Sequence, residues 1–393
     1  MGGRSRGAGS IGRRRLRSHG RVVSDLRRGV PPGVHRVGIE EEMFVVDAAG
    51  RLVPESVAVL RSHRRLGPDA DLDHELFLQQ VELQTEPHED PDALRDDLIR
   101  QRSSALAAAR EAGFALAAVP VDVLGGSEPV ATPKSRYERM LHRYGEIGRN
   151  GMICGMHVHV EVADDDAIDV LDALRPWTPL LTALSANAPF FHGRDTHHAS
   201  WRGHLWDMWP TAGPVEAFGD RGTYDAMIDE LIGSGAAIDA HMLYLDARIA
   251  EQYPTVEVRV ADVCTDVEDA LLVAEVARAL VSTVADQPHE SADWRLETLK
   301  AARWRARHDG LGGTLLDPVS RAFVPAEQAL ASLLTTVKTA LDEAGTEARV
   351  TEGIHRVLTS GNGAARQRAI AGADTDLASV MADIVRRTEP GPH

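Results

Sequence analysis

The feature that most restricts the fold of this chain is a set of ionisable side chains inside four segments that alternate like β-strands. The segments cover Val37 to Asp47, Gln79 to Thr85, Ile153 to Val162 and Thr255 to Val263. Each is rich in valine and isoleucine or alternates tightly, which is typical of strands. Because successive side chains of a strand point to opposite faces, the pattern predicts which residues share a face of a sheet.

Several carboxylates fall on a common face by this rule. The residues that share a face are Glu40 with Glu42, His157 with His159 and Glu161, and Glu257 with Arg259, and Glu82 has a similar setting in its own segment. Glu75 has the wrong parity to join Glu82 along a regular strand, so it reaches the same place only through a bulge or a turn. For any one segment alone, a solvent-exposed strand face is the ordinary explanation.

If the four strands belong to one sheet, these carboxylates and an imidazole converge. Like charges a few ångströms apart favour protonation or the binding of cations. Carboxylate-rich sites prefer hard cations such as Mg²⁺ or Mn²⁺, whereas zinc prefers histidine and cysteine. The commonest use of several such ions is to carry the phosphates of a nucleotide. The pattern therefore predicts a site for Mg²⁺ or Mn²⁺ that can hold phosphates.

Arginine side chains are the candidates for direct contact with those phosphates. Arg259 is the best placed, because it lies beside Glu257 and can clamp a phosphoryl group with two hydrogen bonds. Further candidates are Arg143, Arg149, Arg202, Arg303 and Arg305, for which a solvated surface position is the alternative. Trp201 lies in a tryptophan-rich segment, residues 198–210, that suits either a substrate pocket or the edge of a core. The familiar phosphate-binding loop G-x-x-x-x-G-K-[ST] is absent from the sequence.

The charge of the chain is unevenly distributed. Residues 1–30 contribute +8 from nine arginines and one aspartate, so within a net charge of −16 residues 31–393 carry −24. The basic head predicts a disordered extension. The acidic remainder argues against nucleic-acid binding. No secretory signal and no long apolar run is present, which predicts a soluble cytoplasmic protein without membrane contact and leaves homo-oligomer formation open.

Helical patterns fill most of the remaining chain. Asp90 and Pro91 predict the start of a helix that runs to about Ala112, and Thr265 with Glu268 predicts a capping box for the next apolar helix. Three further helices are predicted over residues 292–307, 326–344 and 374–387. The strands are unevenly spaced and lack regular helical units between them, so we expect an α+β fold with a mixed or antiparallel sheet, in one domain over residues 31–390.

Several motifs together resemble the type 2 glutamate-cysteine ligases, also called the carboxylate-amine ligase family. They cover about residues 36–310 in the family's order and are the segments Gly38–Glu42, Glu82–Thr85, Gly155–Val160, Trp206–Pro214 and Thr255–Val260 with Asp262. Several independent motifs in register are more specific than any single one. The resemblance implies a catalytic domain similar to that of glutamine synthetase, with a curved, largely antiparallel sheet whose concave face holds ATP and magnesium ions and whose other face is covered by helices.

The resemblance also implies roles for particular residues. The family's metal ligands fall on Glu40, Glu42, Glu75, Glu82, His157 and Glu257, and its phosphate-binding arginine falls on Arg259. Arg259 and Glu257 are the catalytic candidates, and Arg143, Arg202, Trp201 and Arg305 complete the predicted ATP and substrate contacts. The implied reaction joins glutamate to cysteine or another amine through a γ-glutamyl phosphate, with release of ADP and phosphate.

Two other functions compete with this interpretation. A metal-dependent hydrolase would use His157 and His159 as the start of a zinc site, completed by other histidines. The candidates for that role are His192, His197, His198, His204 and His241. A protein that keeps the fold without catalysis would bind metal but release no ADP.

Overall fold

The computed structural model describes residues 34–67, 71–286 and 293–391. The predicted N-terminal extension, residues 1–30, lies outside the described residues. The strands are β1 (Val37–Val46), β2 (Asp71–His74), β3 (Gln80–Gln84), β4 (Ala115–Ala117), β5 (Gly155–Glu161), β6 (Phe190–Phe191), β7 (Arg194–Asp195), β8 (Ala247–Ile249), β9 (Thr255–Asp262), β10 (Thr314–Asp317) and β11 (Ala322–Pro325).

Helices make up the larger part of the described residues. They are α1 (Ser56–Leu66), α2 (Pro91–Glu111), α3 (Ser135–Tyr144), α4 (Glu146–Arg149), α5 (Ala167–Leu174), α6 (Thr178–Ser185), α7 (Arg202–Trp206), α8 (Arg221–Ser234), α9 (Val267–Ala285), α10 (Leu296–Asp309), α11 (Ala326–Glu343), α12 (Glu347–Ser360), α13 (Gly363–Ala371) and α14 (Leu377–Thr388), with a 3₁₀ turn at Ala240–Met242.

One antiparallel sheet contains all four predicted strands. Its order is β2-β3-β1-β5-β9-β8, and β4 pairs with the far end of β1. Neighbouring strands in this sheet run antiparallel. The predicted α+β class with a largely antiparallel sheet is therefore confirmed.

Helices α2 and α9 pack against one face of this sheet. Helix α9 is apolar on nearly all sides, as expected for a helix that is buried between other elements, and it packs against β1, β5, α5, α6 and α11. Helix α11 buries an apolar stripe at helical spacing, in which Leu330, Leu333 and Val337 are fully buried. A continuous cluster of buried apolar side chains runs from Val37 in β1 to Ile384 in α14.

Most predicted boundaries lie within two or three residues of the observed ones, but the predicted capping box is wrong. Helix α2 begins as expected, with the Asp90 side chain accepting a hydrogen bond from the Asp92 amide and proline in the first turn. Helix α9 begins two residues after Thr265, and Asp266 occupies its N-cap. The Thr265 hydroxyl instead donates to the Ala118 carbonyl, because a buried hydroxyl needs a partner and this carbonyl is adjacent.

Candidate active site

A cavity of about 610 Å³ lies on the face of the sheet opposite to α9. We call it the acidic basin. Its lining includes all of the predicted metal ligands and the predicted phosphate-binding arginine, which are Glu40, Glu42, Glu75, Glu82, His157, Glu257 and Arg259. The structure therefore brings these residues, which are separated by up to 219 positions in the chain, into one place.

Strand register explains how they meet. Glu42 lies opposite Glu82 in the β1–β3 pair, and Glu40 lies opposite His157 in the β1–β5 pair. Glu75 follows β2 in the connection to β3, so it reaches Glu82 through a turn, as its parity requires.

The pairing of β5 with β9 contains an irregularity. Val158 pairs with Val258 and Met156 pairs with Ala261, so both Arg259 and Val260 lie opposite the single residue His157. The extra residue is a β-bulge, which re-aims side chains at the point where it occurs.

Three carboxylates, Glu42, Glu75 and Glu82, form the first cluster, which we call the acidic triad. Their closest oxygens all lie within 4.8 Å of one another. Burial and the neighbouring Glu75 raise the pKa of Glu42 to about 8. Burial also raises the pKa of Glu75, and burial together with Glu75 raises the pKa of Glu82 well above its usual range. The Gly155 amide donates to Glu42 at 2.7 Å.

A second cluster contains Glu40, His159 and Glu257, again with ligand atoms within 4.8 Å of one another. The Glu40 carboxylate lies 3.2 Å from His159 Nε2 and 3.1 Å from His157 Nδ1. Burial opposes ionisation of Glu40, but the two histidine contacts outweigh it and lower the pKa of Glu40. Sequence reasoning left the role of His159 open, and the structure places its ring in this cluster.

His157 bridges the second cluster and the arginines. Burial and the nearby Arg259 lower its pKa to about 4, so the ring is neutral near pH 7. Its Nδ1 faces Glu40, and its buried Nε2 has no hydrogen-bond partner among the described residues. A neutral imidazole with one nitrogen fixed by a carboxylate and the other free is a typical metal ligand.

Glu257 is held by two arginines. Arg259 forms an ion pair with one oxygen, and Arg248 Nε donates to the other oxygen at 2.6 Å. Burial opposes ionisation, but Arg259 and Arg248 lower the pKa of Glu257 to about 2. The charge of Glu257 also raises the pKa of the buried Arg259 against the effect of burial. Glu257 and Arg259 therefore stay ionised side by side.

The donor set of the basin suits hard divalent cations. Five of its carboxylates and two imidazoles fall into the two clusters and their bridge, and oxygen donors dominate. Buried carboxylates that repel one another are stabilised when a cation binds between them. The residues present therefore fit Mg²⁺ or Mn²⁺ better than zinc.

The other predicted ATP and substrate contacts lie outside the lining of the basin. Arg143 is on the surface and donates to the Gly235 carbonyl at 2.6 and 2.8 Å. Arg305 pairs with Asp309 at 2.6 Å. Trp201 packs on His198 and His204. Arg202 is fully buried beside β5 and β9, against Arg259 and Asp262.

Two weaker arginine candidates also have other partners. Arg303 is buried and pairs with Asp207 and with Asp246, each at 2.9 Å. Arg149 is an exposed residue that pairs with Glu146 at 3.3 Å within the same short helix. Periodicity could not distinguish these positions, because it reports the face of an element and not what covers that face.

The histidines proposed for a zinc hydrolase do not gather around His157 and His159. The histidines in the lining of the basin are His74, His157, His159 and His241. His241 lies at the rim and pairs with Glu251 at 3.2 Å. The other four candidates, His192, His197, His198 and His204, lie in or near the β6–β7 hairpin and α7, outside the lining. The geometry thus gives the hydrolase hypothesis no support.

Sequence reasoning missed several residues of the basin. Arg248, Arg136, Tyr137, Trp206 and Tyr244 all line it. Arg248 could have been found, because the alternating residues before the turn at 251–254 predict a strand that pairs with β9 and places Arg248 opposite Glu257.

A smaller cavity of about 240 Å³ adjoins the basin. The two cavities share Glu40, Gln84, His159 and Tyr253. The remaining lining of the smaller cavity comes mainly from the start of β1, the end of β3 and the turn before β9, and most of its exposed lining is apolar. The Tyr253 side chain is 57% exposed and meets the His159 ring edge-on, with centroids 6.4 Å apart. An apolar pocket therefore opens directly from the second cluster.

Within the described ranges, no helix is both long enough and apolar enough to cross a membrane.

Solved structures share this fold at low sequence identity. A glutamate-cysteine ligase of Francisella tularensis, solved in complex with AMP, aligns with a TM-score of 0.64 and 13% identity, covering 92% of this chain and 90% of the other. A bifunctional glutathione synthetase of Pasteurella multocida aligns with a TM-score of 0.68 and 14% identity, covering 94% of this chain but 54% of that longer one. The likeness shows that the fold predicted from the sequence motifs is correct.

Other relatives are much more similar to this chain in sequence than these solved structures are. A candidate glutamate-cysteine ligase 2-1 of a Nocardioides species is 42% identical over 370 residues, which cover 91% of this chain and 96% of the relative. A candidate glutamate-cysteine ligase 2 of Streptomyces coelicolor is 39% identical over 361 residues, which cover 90% and 99%. Residues 36–381 match the family described as Glutamate-cysteine ligase family 2 (GCS2). The chain therefore belongs to this family and is an ATP-dependent carboxylate-amine ligase.

Proposed function

We propose that the protein forms an amide bond between the side-chain carboxylate of glutamate and the amine of cysteine or a related amine. The observation that carries this proposal is the meeting of Arg259 and two clusters of candidate metal ligands in one basin. ATP and glutamate are both anions, so a site that joins them must suppress their repulsion and align them. The family and the relatives support the same type of reaction.

The reaction proceeds in two steps. A carboxylate oxygen of glutamate attacks the γ-phosphorus of ATP, so that a new O–P bond forms, the bond to ADP breaks and γ-glutamyl phosphate results. The amine nitrogen then attacks the acyl carbon, a C–N bond forms, the C–O bond to phosphate breaks, and the amine loses a proton. Both steps use the substrates' own nucleophiles, so the protein need only position the substrates and neutralise their negative charges.

The residues of the basin divide this work. The acidic triad would hold one Mg²⁺ or Mn²⁺ ion, and Glu40, His159 and Glu257 would hold another, with His157 Nε2 available as a further ligand. When bound, these ions supply neutralisation of the phosphates and of the charge that develops on them during transfer. Arg259 contributes its guanidinium to the γ-phosphate, where two parallel hydrogen bonds fix the group as it moves.

The smaller cavity suits the nucleoside of ATP. It opens from the basin at Glu40 and His159, so phosphates held in the basin leave the base facing Gly38, Tyr253 and Pro254. A pocket with apolar walls and an aromatic ring at its edge is typical of sites that bind a planar base.

Incubation of the purified protein with ATP, Mg²⁺, glutamate and a panel of amines tests the reaction. ADP release and ligated products are followed by a coupled assay and by mass spectrometry. We expect ADP release that depends on the amine and is lost in Glu257→Ala. Glu343→Ala, which removes an exposed glutamate at the end of α11, is the matched control and should behave like the wild type.

Isotope transfer tests the intermediate separately. Glutamate labelled with ¹⁸O in its side-chain carboxylate should pass label to inorganic phosphate, because the attacking oxygen stays with phosphorus when the amide forms. Turnover that survives Glu257→Ala or removal of the metal, or hydrolysis that proceeds with zinc and without ATP, would contradict the proposal.

A further inference from the structure

Trp206 lies close to two buried arginines, Arg202 and Arg259. Its ring centroid is 5.3 Å from Cζ of Arg202 and 5.5 Å from Cζ of Arg259. Both distances are within the range in which a guanidinium is attracted to an aromatic face. We propose that Trp206 is a positioning residue that fixes the orientation of the Arg259 guanidinium, an inference that rests on the proposed role of Arg259 toward ATP.

The ion pair of Arg259 leaves its orientation incompletely determined. Arg259 Nη1 pairs with one oxygen of Glu257, whose other oxygen is shared with Arg248. Arg259 Nε is buried and has no hydrogen-bond partner among the described residues. A planar group that is tied at one end can still rotate about that contact, so a second contact on its face is needed to fix its plane.

Arg202 is a second and fixed contact of the ring. Its side chain is 2% exposed, and its guanidinium lies 4.0 Å from Asp262 and packs directly on Gly155. A methyl group added to Gly155 would overlap that guanidinium, so the close packing depends on glycine at this position. Arg202 therefore takes part in the site as a neighbour of Trp206 and not as part of the cavity lining.

Trp206 is itself held firmly. The indole Nε1 donates to the Tyr244 carbonyl at 3.1 Å. The next residue, Asp207, forms ion pairs with Arg303, at 2.9 Å, and with Arg307, both of which are buried in α10. These contacts fix the backbone and the ring together, so α10 supports the position of Arg259 through the Trp206–Asp207 pair.

A double-mutant cycle between Trp206 and Arg259 tests the inference. We expect Trp206→Leu to lower kcat about 10-fold, with KM for ATP changed less than about 3-fold, because the lost contact orients a group that acts in the transition state. In the Arg259→Lys background the same substitution should lower kcat less than about 2-fold, because the oriented guanidinium is already gone. Trp206→Phe keeps an aromatic face and should retain most of the activity.

Trp177→Leu is the matched control for loss of packing. Trp177 is a buried tryptophan at the start of α6, outside the lining of the basin, and its replacement should lower the melting temperature without lowering kcat. Trp206→Met replaces the leucine variant if that variant does not fold.

The possible outcomes distinguish a failure of the positioning role of Trp206 from a failure of the proposed ligase function. Equal losses from Trp206→Leu in both backgrounds, or wild-type kcat in Trp206→Leu, would overturn the positioning role while leaving the ligase reaction in place. Absence of amine-dependent ADP release in the wild type would overturn the proposed function first, and the positioning role with it. A second double-mutant cycle can use calorimetry to measure the affinity for ADP with Mg²⁺. It should show a much weaker coupling between Trp206 and Arg259 than the cycle measured on kcat.

Discussion

Arg102 and Glu41 form a two-bonded ion pair inside the protein, on the opposite face of β1 from the acidic basin. Arg102 Nε and Nη2 donate to the two oxygens of Glu41 at 2.7 and 2.6 Å, and both side chains are 0% exposed. The same guanidinium donates to the carbonyls of Cys264 and Thr265 at 2.8 Å each. Three consecutive glutamates of β1 thus serve two faces, Glu40 and Glu42 in the basin and Glu41 in the layer of helices.

Arg102→Met should therefore destabilise the protein strongly. We expect the free energy of unfolding in urea to fall by about 3–5 kcal/mol, because Glu41 would remain buried without its partner. Arg95→Met is the matched control. Arg95 lies on the same helix as Arg102, but its ion pair with Glu268 is at the surface. That change should cost less than about 1 kcal/mol. Similar losses of unfolding free energy in the two variants would contradict the prediction that the buried ion pair matters more than the exposed one.

Arg259→Lys should reduce kcat/KM about 10²–10³-fold, because lysine keeps the charge but cannot make two parallel hydrogen bonds to a phosphate. Steady-state kinetics with ATP, glutamate and the preferred amine measure the effect. Arg143→Lys changes the arginine that lies at the surface against Gly235, and it should leave the kinetics unaltered. A loss in Arg143→Lys as large as in Arg259→Lys would mean that the ATP site extends beyond the basin.

Binding of Mg²⁺ should release protons. Burial raises the pKa of Glu75 and Glu82 and raises that of Glu42 to about 8, so the acidic triad, through Glu42, still holds protons near pH 7 in the metal-free protein. Metal ligands must be ionised, so binding displaces those protons and the affinity should increase as the pH rises towards 8.

Calorimetry in buffers of different ionisation enthalpy measures the number of protons released. Glu42→Gln removes one of the titrating groups, so fewer protons should be released in that variant. A binding enthalpy that is the same in every buffer would contradict the prediction.

Tyr253→Ala should raise KM for ATP about 5-fold or more, because stacking of a base on an aromatic ring contributes about 1–3 kcal/mol. Tyr253→Phe keeps the ring and should behave like the wild type. Initial rates at varied ATP and at varied glutamate distinguish an effect on KM for ATP from an effect on KM for glutamate. A rise confined to KM for glutamate would place the amino acid, not the nucleoside, in the smaller cavity.

Strand parity predicted the main part of the site. Glu40 and Glu42, and likewise Glu257 and Arg259, share a face because side chains alternate regularly within one strand, and this is a local property of the sequence. Glu75 required knowledge of the motif pattern, because its parity is wrong and only the turn after β2 brings it to Glu82. The residues that a single strand carries could therefore be read from the sequence more reliably than residues in turns.

The elements that pack over each face of the sheet could not be predicted from strand parity. Arg143, Arg202 and Arg305 were predicted as further ATP or substrate contacts beside Arg259, but their distances from the basin depend on how α3, α7 and α10 pack. Thr265 satisfied the pattern of a capping box, yet tertiary contact with Ala118 took its hydroxyl. In each case a long-range contact that forms only in the folded chain decided the outcome.

The bulge in β9 fixes a spacing in the primary sequence. Arg259 and Asp262 are three positions apart, so a regular strand would send them to opposite faces. With the extra residue, Arg259 lies opposite His157 and Asp262 lies opposite Gly155, so both fall on the basin side of the sheet, where Asp262 meets Arg202. Loss of one residue between them would remove the irregularity, and with it the re-aiming of side chains at this point of the strand. Insertions and deletions in this family should consequently be tolerated in the surface turns and excluded from these four positions, which makes their length a marker for relatives that retain catalysis.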